Sequence, residues 1–221
     1  MLKSVLKYLL LAGMLTTVPM THAEKRNEYW RQKVSLFELL PISSDDIVML
    51  GNSITDGGEW VELLGRDNVK NRGISADVIS GVEERLDQVT NGHPDKIFLL
   101  IGINDISHGH SAAELARRYE RLLKRITTDS PDTKIYIQSV MPINNSFGRY
   151  RNLAGKEKVV TQLNTLLKQL APTYNAVWVD LWPALADSKG RLRSDFTNDG
   201  LHLTGKGYKA WAETIIPFID Q

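Results

Sequence analysis

Short apolar runs alternate with longer amphipathic stretches along this chain. Ile47-Val48-Met49-Leu50 runs into Gly51-Asn52-Ser53 and reads as a buried strand ending in a tight turn. Residues 96–101 form the most continuous apolar run and end in Gly102-Ile103-Asn104-Asp105. Further strands are expected at 134–140, at 176–180, and at about 68–71, where the chain enters Arg72-Gly73-Ile74-Ser75-Ala76-Asp77. Helical spacing fills the intervals. Trp30, Val34 and Phe37 mark a helix over 28–40 that Pro41 closes. Residues 59–64 and a stretch from Asp77 to about Val89 read the same way. A capping box, Ser111 with Glu114, opens a helix whose face carries Leu115, Tyr119, Leu122 or Leu123, and Ile126. Val160, Leu163, Leu167 and Leu170 mark another, stopped by Pro172, and Tyr208, Trp211, Ala212, Ile215 and Ile216 the last.

None of the strands shows the apolar–polar alternation of a sheet with one wet face. Such strands belong to a parallel sheet covered by helices on both sides. With no internal repeat, low-complexity tract or linker, the expected fold is a single α/β/α three-layer sandwich. It has about five strands in flavodoxin-like order 2-1-3-4-5, and its ligand site lies beyond their carboxyl ends. Ser53, Gly73 and Asn104 each follow such an end, and Asp199 and His202 follow the fifth strand. Residues far apart in sequence therefore converge on one rim.

The first residues read as a leader. Lys3 and Lys7 give a positive start, the stretch from Tyr8 to Val18 is mostly apolar, and Thr21-His22-Ala23 places small residues at −3 and −1 of a cut before Glu24. The run is short for a membrane span and interrupted by Gly13 and two threonines, so the expectation is a signal peptide over 1–23, a domain over 24–221, and a secreted or periplasmic product, with a retained anchor as the alternative. Cleavage would take two lysines and no acid from a formal charge of +1, leaving −1. No basic surplus remains for nucleic acid. The 221 residues include no cysteine, which excludes disulfides and thiolate metal sites.

The rim residues suit acyl transfer. A serine hydroxyl becomes nucleophilic when a base takes its proton, and histidine suits that task near neutral pH. Asp199 and His202 are separated by two residues, so within one turn the carboxylate could orient and support the imidazole. Negative charge developing on a substrate oxygen needs fixed donors. The candidates are the backbone N–H of Ser53, the backbone N–H of Gly73 and the amide of Asn104. Each also has a plainer reading: N-cap or turn former for Ser53, Asp199 and Asn104, a turn needing positive φ for Gly73.

Gly51-Asn52-Ser53, Gly73, Gly102-Ile103-Asn104-Asp105 and Asp199-Gly200-Leu201-His202 together resemble, in order and approximate spacing, the four blocks of the SGNH (GDSL-type) hydrolases. Leu201-His202-Leu203-Thr204-Gly205-Lys206-Gly207-Tyr208 is similar to the branch containing the platelet-activating-factor acetylhydrolase catalytic subunit and bacterial acetylesterases. The resemblance implies an esterase with Ser53 as nucleophile, His202 as base, Asp199 as its orienting carboxylate, and Ser53, Gly73 and Asn104 as the oxyanion hole. The chain departs at Asn52, where the motif has Asp, and at Ala76, where many relatives have a second Gly.

The remaining polar residues change little. His108-Gly109-His110 lacks accompanying carboxylates at ligand spacing and reads as a solvated loop, so no metal or other cofactor is expected. Neither a dinucleotide fingerprint, a phosphate loop nor a Gly-x-Ser-x-Gly elbow is present around Ser53. Residues 142–152 follow the fourth strand and should overhang the rim, with Phe147, Arg149, Tyr150 and Arg151 as candidate substrate contacts. The expected function is hydrolysis of short acyl esters, acetyl foremost, on an alcohol such as a carbohydrate. The alternatives are a phospholipid or lysophospholipid acylhydrolase and a non-catalytic carbohydrate-binding protein on an esterase fold.

Overall fold

The computed structural model describes residues 26–221; the expected leader, residues 1–23, lies outside the described residues. The chain runs α1 (Glu28–Glu38), β1 (Ile47–Gly51), α2 (Ser53–Asp56), α3 (Trp60–Leu64), β2 (Val69–Gly73), α4 (Ile79–Glu84), α5 (Asp87–Thr90), β3 (Lys96–Leu100), α6 (Ile103–Ser107) and α7 (Ala112–Asp129). It continues through β4 (Lys134–Gln138), α8 (Glu157–Leu170), β5 (Val177–Val179), α9 (Trp182–Leu185) and α10 (Gly205–Ile219).

All strand pairs are parallel, in the order β2-β1-β3-β4-β5, as expected for the α/β/α sandwich. Every residue of β1 and β3 is buried, which demands cover on both faces. One set of helices joins α7 to α8 and α4, and another joins α10 to α3 and α9. Inside, Phe98 stacks on Tyr136 with ring centroids 4.4 Å apart, and Trp60 meets Trp211 edge-on at 4.5 Å. No described helix is long and apolar enough to cross a membrane.

Three local departures have physical causes. The expected helix from Asp77 to Val89 breaks between α4 and α5, because Arg85 turns inward. Its Nε donates to Asp77 Oδ2 at 2.9 Å, and Nη2 donates to the carbonyls of Gly51 and Arg72 at 3.2 and 3.0 Å. One buried guanidinium thus ties the carboxyl ends of β1 and β2 together. β2 runs on to Gly73, in register with Gly51, where the apolar pattern suggested an end near 71. The capping box at Ser111 forms by half. Glu114 N–H donates to Ser111 Oγ, while the Glu114 carboxylate takes Arg118 and His110.

Candidate active site

The rim begins at the end of β1. Asn52 caps α2, its Oδ1 accepting from Ile54 N–H at 3.0 Å, and this leaves Ser53 as the first helical residue. A four-residue helix cannot hold itself in place. Two anchors do so: the Tyr208 hydroxyl on α10 donates to Ile54 O at 2.8 Å, and Trp60 Nε1 donates to Thr55 O at 2.8 Å. Ser53 is half-buried, its Oγ 2.9 Å from His202 Nε2.

His202 comes from the loop before α10. Its Nδ1 lies 2.8 Å from Asp199 Oδ2. An ionised carboxylate only accepts, so the hydrogen-bond network assigns the ring proton to Nδ1 and leaves the Nε2 lone pair facing Ser53. Asp199 Oδ1 accepts from the N–H groups of Leu201 and His202 at 2.9 and 2.8 Å, and from Thr197 Oγ1 at 3.3 Å. Burial pushes the Asp199 carboxyl up, but the bonds from His202, Leu201 and Tyr150 outweigh it and hold the group at about 2. It is ionised throughout the neutral range.

Tyr150 was expected to meet substrate. Its ring does line the cleft, yet its hydroxyl donates to Asp199 Oδ2 at 3.0 Å and lies 3.0 Å from His202 Nδ1. Burial and the neighbouring carboxylate push that hydroxyl up to about 12, so it remains a donor. The segment carrying it is pinned from below. Asn144 N–H donates to Gly200 O at 2.8 Å, and its side-chain amide donates to Leu192 O at 2.8 Å. Gly200 sits at φ +90°, and a Cβ there would come within 2.2 Å of Asn144 O, so only glycine serves.

The groups expected as oxyanion donors sit differently from expectation at one position. Gly73 N–H already donates to Asn71 Oδ1 at 2.8 Å, and Gly73 is not among the cleft-lining residues. Its glycine answers to packing, since a Cβ would fall 2.1 Å from Asp56 N. Ala76 lines the cleft instead, at φ +64°, the conformation glycine usually takes. The N–H groups of Ala76 and Ser53 meet no acceptor among the described residues. Asn104 also lines the cleft; one amide proton goes to Asp77 O at 2.8 Å and the other is available. The signal for Ala76 was present in sequence, as the residue standing where relatives carry their second Gly.

These groups surround a cleft of about 590 Å³, with Ser53, Asn104, Arg149, Tyr150, Arg151 and His202 on its wall. Phe147 is not on that wall, so the expected contact with substrate is not made there; it lies beside Gly200. Arg149 and Arg151 are on it.

The sequence model of the GDSL-like Lipase/Acylhydrolase family matches residues 49–210. The chain is 28% identical over 170 residues to the rat (Rattus norvegicus) platelet-activating factor acetylhydrolase IB subunit alpha2, covering 74% of this chain and 71% of that protein. Among solved structures, a Streptococcus pneumonia protein described as a platelet activating factor superposes with a TM-score of 0.80 at 27% identity, over 86% of this chain and 92% of that one. An acetyl-xylooligosaccharide esterase from Geobacillus Stearmophilus shares the fold, with a TM-score of 0.65 at 19% identity over 81% of this chain and 96% of its own.

Proposed function

The chain belongs to the GDSL-like lipase/acylhydrolase family and is a carboxylic ester hydrolase, and from that premise we propose that it removes short acyl groups, acetyl foremost, from an alcohol such as a carbohydrate. The observation that carries the reading is the continuous path from Ser53 Oγ to His202 Nε2 at 2.9 Å and from His202 Nδ1 to Asp199 Oδ2 at 2.8 Å. Ser53 Oγ adds to the ester carbonyl carbon while Nε2 takes its proton, and ionised Asp199 supports the imidazolium. The N–H groups of Ser53 and Ala76 and the free proton of the Asn104 amide meet the oxyanion. Collapse breaks the bond to the alcohol, which leaves with the proton from Nε2. Water, deprotonated by the same histidine, then releases the acid and restores Ser53.

Tyr150 acts here as a positioning residue, fixing Asp199 and the edge of the His202 ring. Neither metal nor any other cofactor has a step in this scheme, and exhaustive chelation should leave the rate unchanged. A second reading, phospholipid acylhydrolysis, draws on the likeness to the rat platelet-activating factor acetylhydrolase subunit. Export through the leader is part of the proposal, and intact mass of the native protein beginning at Glu24 would support it.

A fluorophosphonate probe tests the chemistry, with adduct expected on Ser53 and lost in His202→Ala. Rates on acetylated sugars, aryl esters of graded length and a phospholipid test the substrate. Failure to label Ser53 would refute the mechanism; faster turnover of the phospholipid than of any acetylated sugar would favour the second reading.

A further inference from the structure

The electrostatics of the cleft are one-sided. Arg149 and Arg151 flank Tyr150 and both line the cleft, whereas no aspartate or glutamate does. Asp199 is turned away, toward His202 and Tyr150. Elsewhere most exposed or half-buried arginines hold carboxylates, as Arg31 does with Glu28, Arg66 with Asp220, Arg118 with Glu114, Arg125 with Asp87, Arg191 with Asp187 and Arg193 with Asp195, while Arg117 on α7 stands unpaired among the described residues and far in sequence from the cleft segment. Arg149 and Arg151 have neither an ion pair nor a side-chain hydrogen bond among the described residues, and both are exposed. They lie on a segment that Asn144 and Tyr150 fix in place.

We infer that the ester this cleft takes carries an anionic group on its alcohol portion, a carboxylate or a phosphate, which Arg149 and Arg151 bind while Ser53 faces the acyl carbon. The inference rests on the esterase reading above and narrows it. A guanidinium matches either oxyanion with paired N–H donors, which a neutral sugar could not reward equally. Placing the charge on the alcohol follows from the chemistry, since an acetyl group has nowhere to carry one. The pair would also draw an anionic substrate toward the cleft, an effect that salt screens.

Matched esters differing only in the charged group decide this. One arm compares O-acetylglucuronic acid with O-acetylglucose; the other compares O-acetylglycerol phosphate with O-acetylglycerol. The expected result is a kcat/KM higher by about tenfold or more for the charged member of at least one pair. That ratio should fall about tenfold in Arg149→Gln and in Arg151→Gln, the loss expected for one charge-assisted hydrogen bond, and should shrink with rising ionic strength. The arm with the larger ratio identifies carboxylate or phosphate. Equal kcat/KM within both pairs would overturn the inference, as would a preference that survives the double variant. In either case labelling of Ser53 and turnover of the neutral esters would leave the esterase reading standing. Absence of both labelling and hydrolysis would remove that reading, and this inference with it.

Discussion

Removing the Tyr150 hydroxyl is the sharpest test of how His202, the proposed base, is held. In Tyr150→Phe the ring stays beside His202, its centroid 5.7 Å away, and only the bond to Asp199 Oδ2 is lost. A hydrogen bond to a charged acceptor contributes about 1.5–3 kcal/mol. Tyr150 is 37% exposed, so water can replace part of that donor. A net loss of about 1 kcal/mol is expected, or about fivefold in plateau kcat/KM. Initial rates on a neutral aryl acetate from pH 7 to 9 measure the loss. An unchanged plateau would show that Tyr150 merely covers the pair and would refute its role in holding Asp199.

Other outcomes follow from the same geometry. Asn104→Ala should lower kcat about a hundredfold with little change in KM, the usual cost of one oxyanion donor; a normal kcat per folded molecule would reduce Asn104 to its bond with Asp77 O. Ala76→Gly relieves a left-handed residue costing about 1–2 kcal/mol, offset by glycine's added chain entropy of about 0.5–1 kcal/mol, so Tm should rise by about 2 °C. A lower Tm would refute strain at Ala76. Asp105 is buried, and burial raises its carboxyl to about 6 despite the bonds from Ile79 N–H and Arg118. Its folded-state value lies above the unfolded one, so the native protein binds the extra proton and loses stability as pH climbs from about 4 to about 6. Denaturant titrations should show Asp105→Asn gaining on the wild type across that window; a constant difference would refute the assignment.

The fold was legible because burial on both faces leaves a simple mark: unbroken apolar runs such as Ile47–Leu50, each followed by small residues. Strand order and the location of the rim followed from that mark. Boundaries set by distant contacts were not legible. Nothing local announces that Arg85 will abandon a helix to reach Asp77 and two strand-end carbonyls. The same limit explains Gly73 and Ala76. Glycine advertises backbone freedom in sequence, yet Gly73 is required by the approach of α2, while the residue in the left-handed conformation is an alanine. Tyr150 was found as a loop aromatic over the rim, but the direction of its hydroxyl depends on where Asp199 lands, and that is a tertiary fact. Asp199 and His202 were legible as a pair because a turn is short enough for spacing to fix geometry.

The junction between Asn144 and Gly200 has a bearing on how this scaffold could be re-engineered. The backbone that presents Arg149, Tyr150 and Arg151 is bolted to the backbone that presents the Asp199–His202 pair, through a contact so close that a methyl group could not be inserted. In the proposed scheme, recognition and catalysis are therefore not separable cassettes. Grafting a foreign segment over 142–153 to change substrate would also displace His202, the proposed base, and turnover would drop for every ester, the new target included. A library that keeps Asn144 and Tyr150 and varies only the positions between and beside them would explore specificity without that penalty.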